Sequence, residues 1–138
     1  MDAVHDSLAQ RLVAGIAAQD EAAIAACFAT DAAFRALIPP GLRERTGAAP
    51  TASLIAGWFR DSTELDLVDQ HADEVGDRML IRYRFVGVEG GQPYIVEQHL
   101  SCVISNDKIQ RADMLCSGFR PRGRDEGEAT TREGTLGS

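Results

Sequence analysis

An α+β domain, with helices laid over one face of a curved sheet, is what this sequence predicts, and three observations carry the prediction. From Asp77 to Ile104 the chain alternates as a long β-hairpin, with Met79, Ile81, Tyr83 and Phe85 on one side and Leu80, Arg82, Arg84 and Val86 on the other, the period of two that a half-buried strand needs. Ala3 to Ala18 and Ala52 to Arg60 instead space their apolar residues by three and four, the stripe of an amphipathic helix. The resulting order is helix, helix, strand, helix and then four strands in a meander, a layout that buries one sheet face under helices.

Composition bounds the rest. A chain of 138 residues with 44% hydrophobic content holds one domain and can bury a core of its own. That domain is expected over residues 1–119, with 120–138 as a polar, flexible tail, because Arg120 to Ser138 carries many charges and glycines and almost no large apolar residue. Its removal is expected to leave the melting temperature nearly unchanged. The formal charge of −7, from 21 acidic and 14 basic side chains, argues against nucleic acid, which draws its affinity from clustered Lys and Arg. Cys27, Cys102 and Cys116 sit in apolar runs at no metal-ligand spacing, so reduced buried thiols are expected, with no metal and no cofactor. Asp2 and Asp6 with no long apolar run at the N-terminus predict a cytoplasmic protein without a membrane partner.

In chain order, Val4, Leu8, Leu12, Val13 and Ile16 form the first helical stripe, and Gly15 is tolerated within it. Asp20 caps a second, short helix that runs through Ile24, Cys27 and Phe28, with Glu21 in its first turn. Ala32 to Ile38 reads as a strand broken by Pro39-Pro40-Gly41, and Leu42 to Thr46 as a polar loop. Thr51 after Pro50 caps a third helix, whose greasy face holds Leu54, Ile55, Trp58 and Phe59. Glu64 to Val75 is an irregular strand that ends at a Gly76-Asp77 turn.

The Gly90-Gly91 turn sets the hairpin register. It pairs Glu89 with Gln92, Phe85 with Val96, Tyr83 with Gln98, Ile81 with Leu100, Met79 with Cys102, Arg82 with His99 and Arg84 with Glu97. One face is then apolar with Tyr83 and Gln98 set into it, and the other carries Arg82, Arg84, Glu97, His99 and Ser101. Ser105-Asn106-Asp107-Lys108 makes a second turn. A two-residue turn would put Asp113 on the face of Leu100, whereas a three-residue loop puts Ala112, Met114 and Cys116 there. The three-residue loop is preferred, because the alternative buries Asp113 unpaired.

With these elements placed, the stretch Gln10-Arg11-Leu12-Val13-Ala14-Gly15-Ile16 with Asp20, then Ile24, Phe28-Ala29-Thr30-Asp31-Ala32, Gly47, Trp58-Phe59 and Asp107-Lys108-Ile109, resembles the nuclear-transport-factor-2-like superfamily. Its members include SnoaL-like polyketide cyclases and ketosteroid isomerases, and the resemblance covers residues 3 to 120. It implies a cone-shaped, curved mixed sheet wrapped around an N-terminal helical layer, a deep apolar pocket under the helices, and a homodimer through the outer sheet face. Carried over residue by residue, the ketosteroid isomerase tyrosine falls at Leu12 and the carboxylate base at Ala36. The third polar group falls at His99 without gaps, or near Gln98 or Leu100 if apolar faces are matched. That isomerase mechanism is therefore not available here. No acidic residue faces inward as in SnoaL-like cyclases, and the Arg-x-Asp arrangement of limonene epoxide hydrolases is missing, since Arg82 is followed by Tyr83-Arg84.

The expected pocket takes a small apolar molecule and is lined by Leu12, Ile16, Phe34, Ala36, Trp58, Tyr83, Gln98, Leu100 and Met114. Tyr83, Asp113 and His99 are the candidate catalytic residues. His99 with Glu97, Arg82 and Asp113 is the densest titratable cluster and suits acid–base work on a cavity wall, but on an outward face it is a set of cross-strand charge pairs. His5 and His71 read as solvated, and Arg43 and Arg45 suit either a pocket mouth or a loop. Two functions follow. One is an isomerase, cyclase or hydratase acting on a polyketide- or steroid-like substrate, with Tyr83 and Gln98 orienting it and Asp113 or His99 moving protons. The other is a non-catalytic ligand-binding or dimerisation module of the same fold.

Overall fold

The computed structural model describes residues 2–123. Helix α1 (Asp2–Ala17) turns Leu8, Leu12, Val13 and Ile16 into the core. At Gly15 a side chain would stand 3.3 Å from Ala23 and Ile24 of α2 (Glu21–Ala25), so glycine lets the two helices close on each other. Asp20 caps α2 through the amide of Ala23. The helix stops at Ala25 instead of running on through Phe28, because Phe28 is buried as the first residue of β1 (Phe28–Ile38) and pairs with Ile109.

Leu42 to Thr46 is a strand and not a loop. β2 (Gly41–Thr46) folds back on β1 after Pro39-Pro40, matching Ile38 with Gly41 and Leu37 with Leu42. It is an edge strand, where polar, exposed side chains are at home. Helix α3 (Ala48–Phe59) begins one turn earlier than its threonine suggests. Gly47 occupies the cap position, and Thr51 lies inside the first turn with its side chain fully buried. Pro50 is compatible with that turn, which has no amide partner to lose.

The sheet continues as β3 (Ser62–Val75), β4 (Arg78–Glu89), β5 (Gln92–Ser105) and β6 (Lys108–Cys116). Strand order is β2-β1-β6-β5-β4-β3, with β1 and β6 parallel and the other neighbours antiparallel, a curved, unclosed mixed sheet. The central hairpin has the register its alternation predicts, from Glu89 opposite Gln92 to Met79 opposite Cys102. Gly90 and Gly91 take φ of 60° and 78°, as such a turn demands.

The next turn differs from the expected three-residue loop. Asn106 and Asp107 alone form it, both at positive φ, and Ser105 pairs with Lys108. A register shift between Val103 and Ile104 then absorbs one extra residue of β6, so that Ala112 faces Cys102 and Met114 faces Leu100. A bulge thus achieves what a longer loop would have done: it keeps Asp113 off the apolar face.

The domain also extends beyond Phe119. Arg120–Pro121 form a short β7 against Tyr94 and Ile95, on the side of β5 that β6 leaves free once its pairing ends at Gln98. The amide of Arg122 donates to Pro93 O at 3.1 Å. Truncation before Arg120, expected to be neutral, removes these bonds; residues 124–138 lie outside the described residues. Helices and inner sheet face meet in one core, in which Phe59 packs edge-on against Phe85, and Phe85 against Tyr83. Gln19 ties the end of α1 to α3 by donating to Phe59 O at 2.7 Å.

Candidate functional site

Alternation in β4 and β5 turns Tyr83 and Gln98 inward at the same level, and neither has any exposed surface. The Tyr83 hydroxyl donates to Gln98 Oε1 at 2.6 Å, and Gln98 Nε2 donates to Cys116 Sγ at 3.3 Å. Burial, and after it the neighbouring thiols of Cys116 and Cys102, hold the phenol well above its ordinary value of 10.0, so Tyr83 stays protonated and donates its hydrogen bond to Gln98.

Phe34, Ala36, Leu100, Met114, Leu12 and Ile16 belong to the same buried core as Tyr83, all 2% exposed or less. This part of the expected pocket is filled by its own side chains. Open space begins at the end of the cone, where a cleft of about 490 Å³ lies between the Pro39-Pro40 turn, Trp58 of α3 and residues 116–120. Cys116, Ser117 and Arg120 supply its polar lining, and Cys116 also accepts from the amide of Gly118 at 3.4 Å. Trp58, half-buried, is the one expected ligand contact that stands in the cleft.

Two residues of this region were missed in sequence. Tyr94 lies against Gly87, directly opposite it in the hairpin, and shares a 2.7 Å hydrogen bond with Ser62. Phe119 follows the last long strand, and its ring packs edge-on against Phe59 and Tyr94 at centroid distances of 5.3 and 5.0 Å. The signal for Tyr94 was present in the hairpin register, which sets an aromatic residue across from a glycine.

The three candidate catalytic residues do not meet. Tyr83 is inside, whereas His99 and Asp113 point out from the convex face. His99 Nε2 lies 2.5 Å from Glu97, which Arg84 also holds at 2.8 Å. Burial alone would raise the Glu97 carboxyl, but the hydrogen bonds and charges of His99 and Arg84 outweigh it and hold it below its ordinary value. Asp113 bonds Arg35 at 2.9 Å, with Arg111 and Arg78 near 4 Å. A groove of about 580 Å³ runs over these groups between the exposed Leu37, Leu42, Leu80 and Leu115.

Cys27, Cys102 and Cys116 are free thiols. Burial pushes Cys102 from 9.0 up to about 12, against the lowering charge of Arg78. Its folded value lies above its unfolded one, so its contribution to stability is complete below pH 9 and is lost as pH rises toward 12. Cys27 and Tyr83 act in the same direction. Melting temperature is therefore expected to fall steadily from pH 9 upward, with a shallower decline in Cys102→Val; an unchanged slope in that variant would contradict the assignment.

Among the described residues no helix is long and apolar enough to cross a membrane, and no group of three His, Cys, Asp or Glu side chains is arranged to hold a metal ion.

Sequence comparison with curated proteins gives no match. Among solved structures, a Catenulispora acidiphila protein with a ketosteroid isomerase-like fold, solved in complex with trimethylamine, superposes with a TM-score of 0.67 at 17% identity, over 80% of this chain and 85% of that one. A candidate polyketide cyclase of Xanthomonas campestris gives 0.66 at 22% identity, over 81% and 89%. An LEH-like epoxide hydrolase of M. tuberculosis gives 0.63 at 11% identity, over 80% of each chain. At these identities the likeness is one of fold, the nuclear-transport-factor-2-like cone. The family model described as a SnoaL-like domain matches residues 9–112, most of the folded chain, and the protein belongs to that family.

Proposed function

We propose that this chain is a SnoaL-like small-molecule pocket protein that takes an uncharged, largely apolar ligand at the open end of the cone. The observation that carries the reading is the cleft beside Trp58, with mostly apolar walls and a few polar groups, Cys116, Ser117 and Arg120, at its C-terminal side. Its volume of about 490 Å³ falls within the range of roughly 300 to 1,000 Å³ usual for ligand sites. Behind Cys116, Gln98 and Tyr83 extend the hydrogen-bond chain into the core.

Isomerisation, cyclisation or hydration needs a group that takes up or releases a proton beside the substrate. Among the described residues the buried polar side chains, tyrosines and cysteines apart, are Thr51, Ser62 and Gln98, and burial keeps the Tyr83 hydroxyl protonated and bonded to Gln98. Binding and orientation therefore fit the interior better than turnover. The likeness to a candidate polyketide cyclase and to a ketosteroid isomerase-like fold recommends polyketide- and steroid-like compounds as probes. Titration with them is expected to shift Trp58 emission saturably. If neither class moves the emission, the pocket reading fails.

The convex face supports a second reading, self-association. Leu37, Leu42, Leu80 and Leu115 are 40% to 60% exposed there, more apolar surface than a sheet face leaves in water without a reason. Arg35, Arg78, Arg82, Arg84 and Arg111 gather on the same face, each near an acid. Both signs on one patch allow a two-fold pairing with a second copy, in a chain whose charge of −7 would otherwise repel it. Sedimentation at micromolar concentration is expected to give a dimer, and Leu115→Glu a monomer. A wild-type monomer would rule this interface out.

A further inference from the structure

The segment that closes the open end of the cone, residues 117–122, is held lightly for something that seals a core. Its own strand, β7, is two residues long. Ser117 is fastened to Glu97 by two hydrogen bonds, of 2.9 and 3.0 Å, and Arg122 to Pro93 by one. Between these points the main apolar anchor is the Phe119 ring. Arg122 Nε is buried without a hydrogen-bond partner, a cost that the closed position carries and an open one would shed. Gly118 stands at φ +87°, and a side chain there would lie 2.6 Å from Pro39, so no other residue type takes this place in the strap without strain.

The place that Phe119 fills has the features of a ring-binding subsite. Two aromatic faces, Phe59 and Tyr94, meet its ring edge-on. The Tyr94 ring that packs on Phe119 carries a hydroxyl bonded to Ser62 at 2.7 Å. Each hydroxyl has two acceptor lone pairs, and the pair shares one hydrogen bond, so capacity is left for a third polar group. The subsite adjoins the cleft directly, since Phe119 forms part of the cleft wall.

We propose that Phe119 is an intramolecular occupant of this subsite, and that a ligand bearing a phenol-sized ring with a hydroxyl displaces it, the strap 117–122 swinging out about Gly118 while the ligand hydroxyl joins Tyr94 and Ser62. This rests on the reading of the chain as a small-molecule pocket protein and specifies which part of the ligand goes deepest. The closed strap reduces apparent affinity to the intrinsic value times the fraction of time it is open, so its occupant sets the threshold for binding.

The test uses p-cresol, with toluene as the ring without a hydroxyl. In the wild-type chain, saturating p-cresol is expected to speed amide exchange of Arg122 by about tenfold or more while the Cys102 amide in β5 stays unchanged, the pattern of local opening. Phe119→Ala, freed of its competitor, is expected to bind p-cresol about tenfold tighter by Trp58 emission, and to prefer it to toluene. Adding Tyr94→Phe should abolish that preference and leave toluene binding intact. Should Phe119→Ala fail to fold, the wild-type exchange measurement decides alone. If p-cresol shifts Trp58 emission while the Arg122 amide stays protected, the plug is overturned and the pocket reading stands. Equal binding of p-cresol and toluene by Phe119→Ala overturns the hydroxyl part of the site, and silence of Trp58 toward both probes in both proteins overturns subsite and pocket together.

Discussion

Gly87→Val is expected to be the most damaging single substitution on the central hairpin, near the top of the roughly 1 to 3 kcal/mol that overpacking costs. A side-chain carbon at this position would stand 2.6 Å from Glu64 O of β3 and 2.6 Å from the Tyr94 ring and hydroxyl. Neither neighbour can yield cheaply. Glu64 belongs to the β3–β4 ladder, and moving Tyr94 breaks its bond to Ser62 and its packing on Phe119. Gly87→Ala should show the same sign at smaller size. Urea denaturation measures both, and an unchanged midpoint for the valine variant would mean that Tyr94 does not lie across this glycine.

The buried Tyr83–Gln98 pair should give the second large effect, and a non-additive one. Tyr83→Phe leaves Gln98 Oε1 without its donor, and Gln98→Leu leaves the phenol without its acceptor, in a place with no exposed surface for either. Each single change is expected to cost about 1 to 3 kcal/mol, the desolvation penalty of an orphaned polar group. The double variant replaces both partners by apolar groups of similar shape, so it should lose clearly less than the sum, with a coupling of about 1 to 2 kcal/mol. Four urea curves complete the cycle; strict additivity would show that the two side chains do not depend on each other.

What could be read in the sequence divides along physical lines. Tyr83 opposite Gln98 was legible because a two-residue glycine turn and strict alternation leave one register, and every later pairing in the hairpin follows from it. β2 was not, because Arg43, Glu44 and Arg45 lie on an edge strand whose structure comes from pairing with β1 and not from burial. The bulge after Asn106-Asp107 has no side-chain signature, so the right face assignment for Asp113 came with the wrong device. At the candidate site, periodicity could say which side chains point inward but not whether they leave space. Leu12, Phe34, Leu100 and Met114 turned out to fill theirs, and the open cleft instead gathers Pro39, Cys116 and Phe119, which lie in turns and beyond strand ends where no repeat marks them. His99 and Asp113 read as one titratable cluster; both lie on the face away from Tyr83, but with separate partners, Glu97 for His99 and Arg35 for Asp113.

The parallel seam between β1 and β6 governs how the molecule is made during synthesis. Arg35 and Asp113, bonded across that seam, are 78 residues apart in the chain, and β6 lies between β1 and β5 in the middle of the sheet. A nascent chain can build the α1–α2–β1–β2 half and, later, the β3–β4–β5 half as local units, but each half waits with an open edge until residues 108–116 emerge. Such long-range closure is slow compared with hairpin formation, and the two waiting edges are templates for strands of other molecules. The interval before β6 is made is therefore when both edges are most open to strands of other molecules, and a stop codon within β6 should yield aggregates.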